Sequence, residues 1–369
     1  MIQMIDLFSG VGGVAHGFRA AGGFETLLVN DVDEDMCDSF SKNFPDYDVV
    51  CDSIANLKFE KRFGRKKINL VIGGPPCQAY STSGKRLMED PRATLYHQYY
   101  RCLVELQPQV FVYENVKGLL SMAGGALFDD VRTLFSSLGY QVRAQVLNAA
   151  DYGVPQERER VIVVGLRDGL TFNYPEPTHR SARSTISSGE KDLFYSDNYL
   201  DYITLEEALS DLPLINAGES STCYASPPRT SYQKLMRSGN NFLLTDHNAP
   251  NHGESLMSVI RNVPPGGLKN DIPIAFRPKS GFPNSYGRLW WDRPSTTITR
   301  NFGTPSSARC IHPLRDRALT TREGARLQSF PDSFVFAGSR AKKNLQIGNA
   351  VPPLLAHAIA KEIKKTFTS

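Results

Sequence analysis

Hydrophobic and polar positions in the first 170 residues alternate between two periods, about 2 for strands and about 3.6 for helices. Residues 2–8 form an apolar run ending in Asp6-Leu7-Phe8. A glycine-rich stretch, Ser9-Gly10-Val11-Gly12-Gly13, follows, and then helical spacing over 14–21. Glu25–Val29 reads as a second strand ending at Asn30-Asp31, and 33–44 as a helix. Val49–Asp52 reads as a third strand with an acid at its tip, and Ile68–Ile72 as a fourth. A helix is predicted over 93–106, a strand over Gln109–Tyr113 closing on Glu114-Asn115, and a helix over 126–138. Tyr140–Leu147 and Arg160–Leu166 read as strands, and the short link between them predicts an antiparallel hairpin. The succession predicts an α/β fold, a doubly wound and mostly parallel sheet with helices on both faces.

The texture changes near residue 172. Residues 173–290 are rich in Pro, Ser, Asn and Gly, yet they hold Trp290, many tyrosines and Val263-Pro264-Pro265-Gly266-Gly267. Those residues favour a second, smaller irregular domain over a disordered insertion. Helical spacing returns over 321–329 and 354–365, and no internal repeat is visible.

Composition narrows the class. At 369 residues, with 41% hydrophobic and 22% charged positions, the chain has the profile of a soluble globular protein of about two domains. No stretch approaches the roughly 18 apolar residues of a membrane span, and the amino terminus lacks the pattern of a secretory signal. Cys37, Cys51, Cys77, Cys102, Cys223 and Cys310 form no CxxC pair, so neither a zinc site nor a disulfide framework is expected and a cytoplasmic setting fits. The net charge of +4 is uneven: residues 291–369 hold 13 Lys and Arg against 5 Asp and Glu. The arginines at 293, 300, 309, 315, 317, 322 and 326 therefore suggest a polyanionic partner.

Candidate chemistry clusters at predicted strand ends. Cys77 follows the fourth strand on a turn stiffened by Pro75-Pro76, at the edge where open α/β sheets bind ligands. A buried structural cysteine is the competing reading. The glycines at 10, 12 and 13 open a helix after a strand, Asp31 ends the next strand, and Asp52 the third. This arrangement suits an adenosine-containing cofactor, with NAD and S-adenosylmethionine both open. Glu114 lies at the tip of a strand expected to neighbour the Cys77 strand, where a carboxyl group can grip a ring nitrogen. Gln156, Arg158 and Arg160 alternate at a strand start and are expected to share one face.

Taken together, the residues resemble a DNA (cytosine-5)-methyltransferase of the bacterial restriction-modification type. Asp6-Leu7-Phe8-Ser9-Gly10-Val11-Gly12-Gly13 is similar to that family's first motif and Gly74-Pro75-Pro76-Cys77-Gln78 to its catalytic motif. Glu114-Asn115-Val116 is similar to its ENV motif and Gln156-Glu157-Arg158-Glu159-Arg160 to its QxRxR motif. The runs Leu319–Pro331 and Gln346–Pro352 are similar to its ninth and tenth motifs. Tyr80 stands where the family usually has Phe, and Ser53 where an aliphatic residue is common.

The resemblance implies a fold of the S-adenosylmethionine-dependent methyltransferase type. Residues 1–174, completed by 335–369, would form the catalytic and cofactor-binding domain, and 175–334 the target recognition domain and hinge. It implies Cys77 as nucleophile, Glu114 on ring N3 and the exocyclic amine, Arg160 on O2 and Arg158 ordering the site beside Glu114. S-adenosylmethionine would contact Phe8, Ser9, Gly10, Gly12, Gly13, Asp31, Val32, Asp52, Ser53, Pro76, Leu95, Asn349 and Val351. Duplex DNA would contact Gln78, Ser81, Ser83, Lys85, Arg86 and Gln156. No metal is expected. A monomer is expected, with a companion restriction endonuclease in the same cell as a further partner and association with the nucleoid when DNA is bound. Alternatives are a tRNA cytosine-5 methyltransferase, against which the long 175–290 insert argues, an NAD-dependent oxidoreductase, and a non-catalytic DNA-binding relative.

Overall fold

The computed structural model of the chain describes residues 1–76, 95–181, 199–238, 243–282 and 284–368. Contacts divide the chain into two units: Met1–Asn148 with Glu159–Glu176 and Ala356–Ser369, and Ala149–Arg158 with Pro177–Leu355. Residues 335–355, expected with the first unit, belong to the second.

The first unit is built on a seven-stranded sheet. Its strands are β1 (Ile2–Leu7), β2 (Phe24–Asp31), β3 (Val49–Cys51), β4 (Leu70–Gly73), β5 (Val110–Val116), β6 (Gln141–Asn148) and β7 (Glu159–Leu166), in the order β3-β2-β1-β4-β5-β7-β6. β1 to β5 pair in parallel, whereas β7 runs antiparallel to both β5 and β6. The expected hairpin is present, with its second strand inserted beside β5. Helices α1 (Gly13–Ala21), α2 (Glu34–Asn43), α3 (Phe59–Phe63), α4 (Leu95–Leu106) and α5 (Ala126–Ser136) fill the connections. The short α3 was not expected.

The central strands β4, β5 and β7 read as near-continuous apolar runs because both faces are covered. On one face Ile5, Leu7, Val71, Phe111, Tyr113, Val161 and Val163 pack with Tyr99 and Leu103 of α4 and with Leu127, Val131 and Phe135 of α5. Phe111 and Phe135 meet edge to face at 5.0 Å, and Tyr99 and Tyr113 at 5.4 Å. Each such side chain contributes about 1.5–3 kcal/mol through burial. The Tyr99 hydroxyl bridges the carbonyls of Val71 (3.2 Å) and Val112 (3.0 Å), so this buried polar atom is satisfied.

Asp6 projects from β1 on the alternate face and is fully buried. Neither of its carboxylate oxygens has a hydrogen-bond partner among the described residues. Burial, reinforced by the nearby Asp31 carboxylate, holds its pKa well above the ordinary value.

The second unit has little sheet. Its strands are two or three residues long. Its helices are α6 (Leu205–Leu209), α7 (Ser231–Met236), α8 (Glu254–Arg261), α9 (Thr321–Leu327) and α10 (Arg340–Asn349); α11 (Pro353–Thr366) then leads into the first unit. Threonine capping boxes start α6, α7 and α9, at Thr204, Thr230 and Thr320. In such a loop-rich unit many carbonyls lack a ladder partner, and buried guanidinium groups satisfy them. Arg288 donates to Val263, Ile260, His312 and Arg315 carbonyls at 2.9–3.0 Å. Arg322 donates to the carbonyls of Thr245, Pro331 and Phe334. Arg326 joins the Ala208 carbonyl to the carboxylates of Asp211 (2.5 Å) and Asp332 (2.6 Å), and Arg317 forks onto Glu323 at 2.8 and 2.9 Å.

Most of the arginines from which a polyanionic partner was expected thus serve the unit's own interior. Arg317, Arg322 and Arg326 are completely buried. Arg309 donates to the carbonyls of Gly266 and Arg288 and, like Arg293, lies over the Trp290 ring. Arg315 holds the Leu214 carbonyl at 3.0 Å. Most of the arginine excess therefore organises the unit from within.

Two predictions follow from these buried charges. Asp211→Ala leaves Arg326 short of one of its two carboxylates inside the protein, and is expected to cost about 3–5 kcal/mol in denaturant unfolding; a loss below 1 kcal/mol would refute the structural role. For Asp6 the folded state binds the proton more tightly than the unfolded chain. Its contribution therefore favours folding at low pH and is lost as pH rises from the unfolded value near 4 towards the raised folded one. The stability gap in favour of Asp6→Asn should accordingly widen between pH 4 and 8, and parallel stability profiles would contradict an unpartnered acid.

Candidate active site

The chain leaves β1 towards β2 on one side and β4 towards β5 on the other, so the sheet order reverses between β1 and β4. Their carboxyl ends are adjacent, with Leu7 paired to Gly73. At such a reversal a crevice opens for ligands, and two groups of predicted residues meet its two sides.

The first group surrounds the loop after β1. Phe8 has a left-handed backbone (φ 54°), uncommon for an aromatic residue, and its ring is half-buried against the core. Gly10 and Gly12 are also left-handed, and Gly13 opens α1. The loop is tied to β2: the Ser9 amide donates to the Asn30 carbonyl (3.1 Å), and the Gly10 amide to Asp31 Oδ2 (2.8 Å). Asp31 Oδ1 accepts from the amides of Val32 (2.8 Å) and Asp33 (3.0 Å). Burial raises the Asp31 pKa, while these amides pull it down. One carboxylate thus fixes both the glycine loop and the β2–α2 turn. Val32 next to it is 69% exposed, an apolar side chain at the mouth of a polar site. Asp52 and Ser53 follow β3: Asp52 Oδ1 accepts from the Ser53 amide (2.6 Å) and from Asn56 Nδ2 (2.8 Å). Exposed Asp52, half-buried Leu95 at the start of α4 and exposed Pro76 complete the residues of this group in the first unit. An acid, a glycine loop and exposed apolar groups together fit a nucleoside whose ribose hydroxyls seek an acceptor and whose ring seeks apolar cover.

The second group lies at the end of β5. Because β7 is antiparallel, its start lies beside the end of β5, with Arg160 opposite Val116. Arg160 Nε sits 3.1 Å from Glu114 Oε1, with both side chains less than one-fifth exposed. Burial lowers the Arg160 pKa and the Glu114 carboxylate counters it. The carboxylate overhangs Gly74, where a β-carbon would come within 2.7 Å of Glu114 Oε2. Asn115 was not singled out for a role, yet its Nδ2 donates to the Pro75 carbonyl at 2.9 Å, pinning the diproline turn to β5. Its place in the run Glu114-Asn115-Val116 was the signal in the sequence. Cys77, Gln78, Ser81, Ser83, Lys85 and Arg86 lie outside the described residues.

Two expectations are corrected. Gln156 is fully buried and therefore not placed to touch DNA: it donates to the Leu327 carbonyl (3.0 Å) and Gln328 Oε1 (2.7 Å) and accepts from the Ile298 amide (2.7 Å). Arg158, expected to order the site beside Glu114, is tied to backbone carbonyls instead. It is 1% exposed and donates to the carbonyls of Ile298 (3.1 Å), Gly348 (2.9 Å) and Ala350 (2.9 Å), all within the second unit. The alternation expected over 156–160 therefore fails, because β7 begins only at Glu159 and the preceding residues serve a different core. Asn349, exposed at the end of α10, and half-buried Val351 also belong to the second unit.

The family profile described as C-5 cytosine-specific DNA methylase matches residues 2–365. The Type II methyltransferase M1.HphI of Haemophilus parahaemolyticus is 37% identical over 100% of this chain and 88% of its own length. M.AgeI of Thalassovita gelatinovora is 34% identical over 98% of this chain and 99% of its own. Among solved structures, a chain described as a DNA modification methyltransferase from an E. coli prophage superposes with a TM-score of 0.76 at 26% identity, covering 100% of both chains. The S. pombe Dnmt2 methyltransferase, at 15% identity and a TM-score of 0.63 over 99% of each chain, shares the fold.

The chain is a member of the C-5 cytosine-specific DNA methylase family. It is a DNA (cytosine-5)-methyltransferase that uses S-adenosylmethionine, with relatives among the bacterial Type II restriction-modification enzymes.

Gly74→Ala tests the packing of Glu114. The added methyl group would push the carboxylate away from its place over the β4 turn, so methylation is expected to fall at least 100-fold while S-adenosylmethionine binding stays within a few-fold. Wild-type turnover in this variant would show that the carboxylate position is unimportant.

Proposed function

We propose that the enzyme methylates C5 of a cytosine rotated out of a specific duplex sequence, through transient covalent addition of Cys77 to C6. The observation that supports this best is the Glu114–Arg160 pair, 3.1 Å apart at the end of β5 and beside the strand leading to Cys77. Cytosine C5 is a poor nucleophile. When the Cys77 thiolate bonds to C6, C5 becomes the nucleophilic carbon of an enamine. Glu114 holds N3 and the exocyclic amine as charge develops on the ring, and Arg160 holds O2 while keeping the Glu114 carboxylate in place. S-adenosylmethionine supplies the electrophilic methyl group. Loss of the C5 proton then expels the Cys77 thiolate and restores the aromatic ring.

C6 is inaccessible within a stacked duplex, so the base must leave the helix. In this reading Gln78, Ser81, Ser83, Lys85 and Arg86 approach the DNA as the base enters the site. Asp31 accepts from the ribose, Phe8 and Val32 cover the adenine, Asp52 with Ser53 faces its amino group, and Ser9, Gly10, Gly12 and Gly13 line the loop. Leu95 bounds the methionine end. Arg158 is reassigned as a positioning residue of the second unit. Sequence specificity is assigned to residues 175–290, and the enzyme acts as a monomer alongside a cognate endonuclease in the cell.

A duplex carrying 5-fluorocytosine at the methylated position tests the chemistry. Addition and methyl transfer can proceed, but fluorine cannot depart as a cation, so elimination stalls. Protein and DNA are expected to migrate together on a denaturing gel only when S-adenosylmethionine is added. Cys77→Ser should abolish the adduct, and Glu114→Gln should slow its formation without altering cofactor binding. If the wild type forms no adduct on DNA that it methylates, thiol addition is excluded.

A further inference from the structure

Of the seven arginines between residues 291 and 330, six are engaged with carbonyls, carboxylates or the Trp290 ring. Arg300 differs. It is exposed, and its guanidinium makes no hydrogen bond, ion pair or ring contact with any described residue. An exposed arginine is by itself ordinary; the way this one is mounted is not. The Ile298 side chain, two residues before it, is buried, its amide donates to Gln156 Oε1 (2.7 Å), and its carbonyl accepts from Arg158 Nη1 (3.1 Å). Two residues after it, Phe302 is 1% exposed and packs over Gly324, where a β-carbon would meet the ring at 2.3 Å. The backbone between them turns tightly, with the Phe302 amide on the Thr299 carbonyl (3.1 Å) and the Thr304 amide on the Asn301 carbonyl (2.8 Å). The flank is closed by Gly348, where a β-carbon would lie 2.3 Å from the Arg300 nitrogen. Arg158 binds the Gly348 carbonyl with the same guanidinium that holds Ile298.

We infer that Arg300 is a DNA-contacting residue, presented on a turn made rigid by Gln156, Arg158, Phe302 and Gly348. The inference rests on the duplex-DNA reading above and names a contact outside residues 175–290. A cation whose backbone is fixed at both ends loses little entropy on engaging an anion or a base edge. Its planar fork of donors matches both a phosphate and the O6 and N7 acceptors of guanine. Gln156 and Arg158 thereby acquire a role as buried positioning residues for a DNA contact.

The test is fluorescence anisotropy with two labelled duplexes of equal length, one carrying the sequence that bisulfite sequencing shows to be methylated and one unrelated. Arg300→Ala is expected to keep the wild-type melting temperature and S-adenosylmethionine affinity but to bind the cognate duplex at least 10-fold more weakly. A phosphate contact weakens both duplexes alike, lowers the salt dependence by about one charge and is largely restored by Arg300→Lys. A guanine contact weakens only the cognate duplex and is not restored by lysine. Wild-type affinity and salt dependence on both duplexes would overturn the inference. Should the wild type methylate no cytosine, the functional reading fails, and loss of unrelated-duplex binding in Arg300→Ala would still establish the contact.

Discussion

The second unit depends on guanidinium groups placed where hydrogen-bond ladders are missing. A chain that folds mainly through turns carries many carbonyls with no strand partner, and each one buried and unpaired costs free energy comparable to a lost hydrogen bond. Arginine brings five donors in a planar fork and keeps its charge under burial. Arg158, Arg288, Arg317, Arg322 and Arg326, none more than 5% exposed, each join segments distant in sequence. Asp211, Asp332 and Glu323 complete the arrangement by neutralising the buried charge. Burial alone would raise the Glu323 pKa, but Arg317 and the histidines nearby hold it well below the usual carboxylate range.

The first unit solves the same problem with a sheet, and the sheet also places the chemistry. Parallel strands bring Leu7 and Gly73 to a common edge. Inserting β7 antiparallel brings the start of a strand to the edge where the others end, so Arg160 faces Glu114. Small details then tighten the geometry. Glycine at 74 leaves room for the Glu114 carboxylate, and Asn115 holds the Pro75 carbonyl. Asp31 performs a similar service for the glycine loop by accepting from Gly10. In the last two cases a hydrogen bond between neighbouring strand ends supplies the preorganisation that catalysis requires.

How much was legible in the sequence follows the range of the forces involved. The elements of the sheet unit were readable because apolar periodicity is local: β1, α1, β2, α2 and β5 fall close to where the spacing puts them. Asp31, Glu114 and Cys77 were readable as candidates because each stands at or just past the end of a strand, which position alone reveals. The short helix α3 and the polar helix α10 were missed, since one is too brief and the other too hydrophilic to show a clear apolar stripe.

The amino-acid sequence by itself determined the class of fold, the order of the motifs and the chemical types available at the site. Only the tertiary structure decided which of several identical residues does what. Arg158 and Arg160 look equivalent two positions apart, yet one is locked to the carbonyls of Ile298, Gly348 and Ala350 and the other pairs with Glu114. Likewise Arg300 and Arg326 count equally towards net charge, although one is exposed and the other wholly buried. The reason is physical: periodicity and residue type act over a few neighbours in the chain, whereas burial and partner choice depend on segments far away along it, such as Ala350, 192 residues from Arg158.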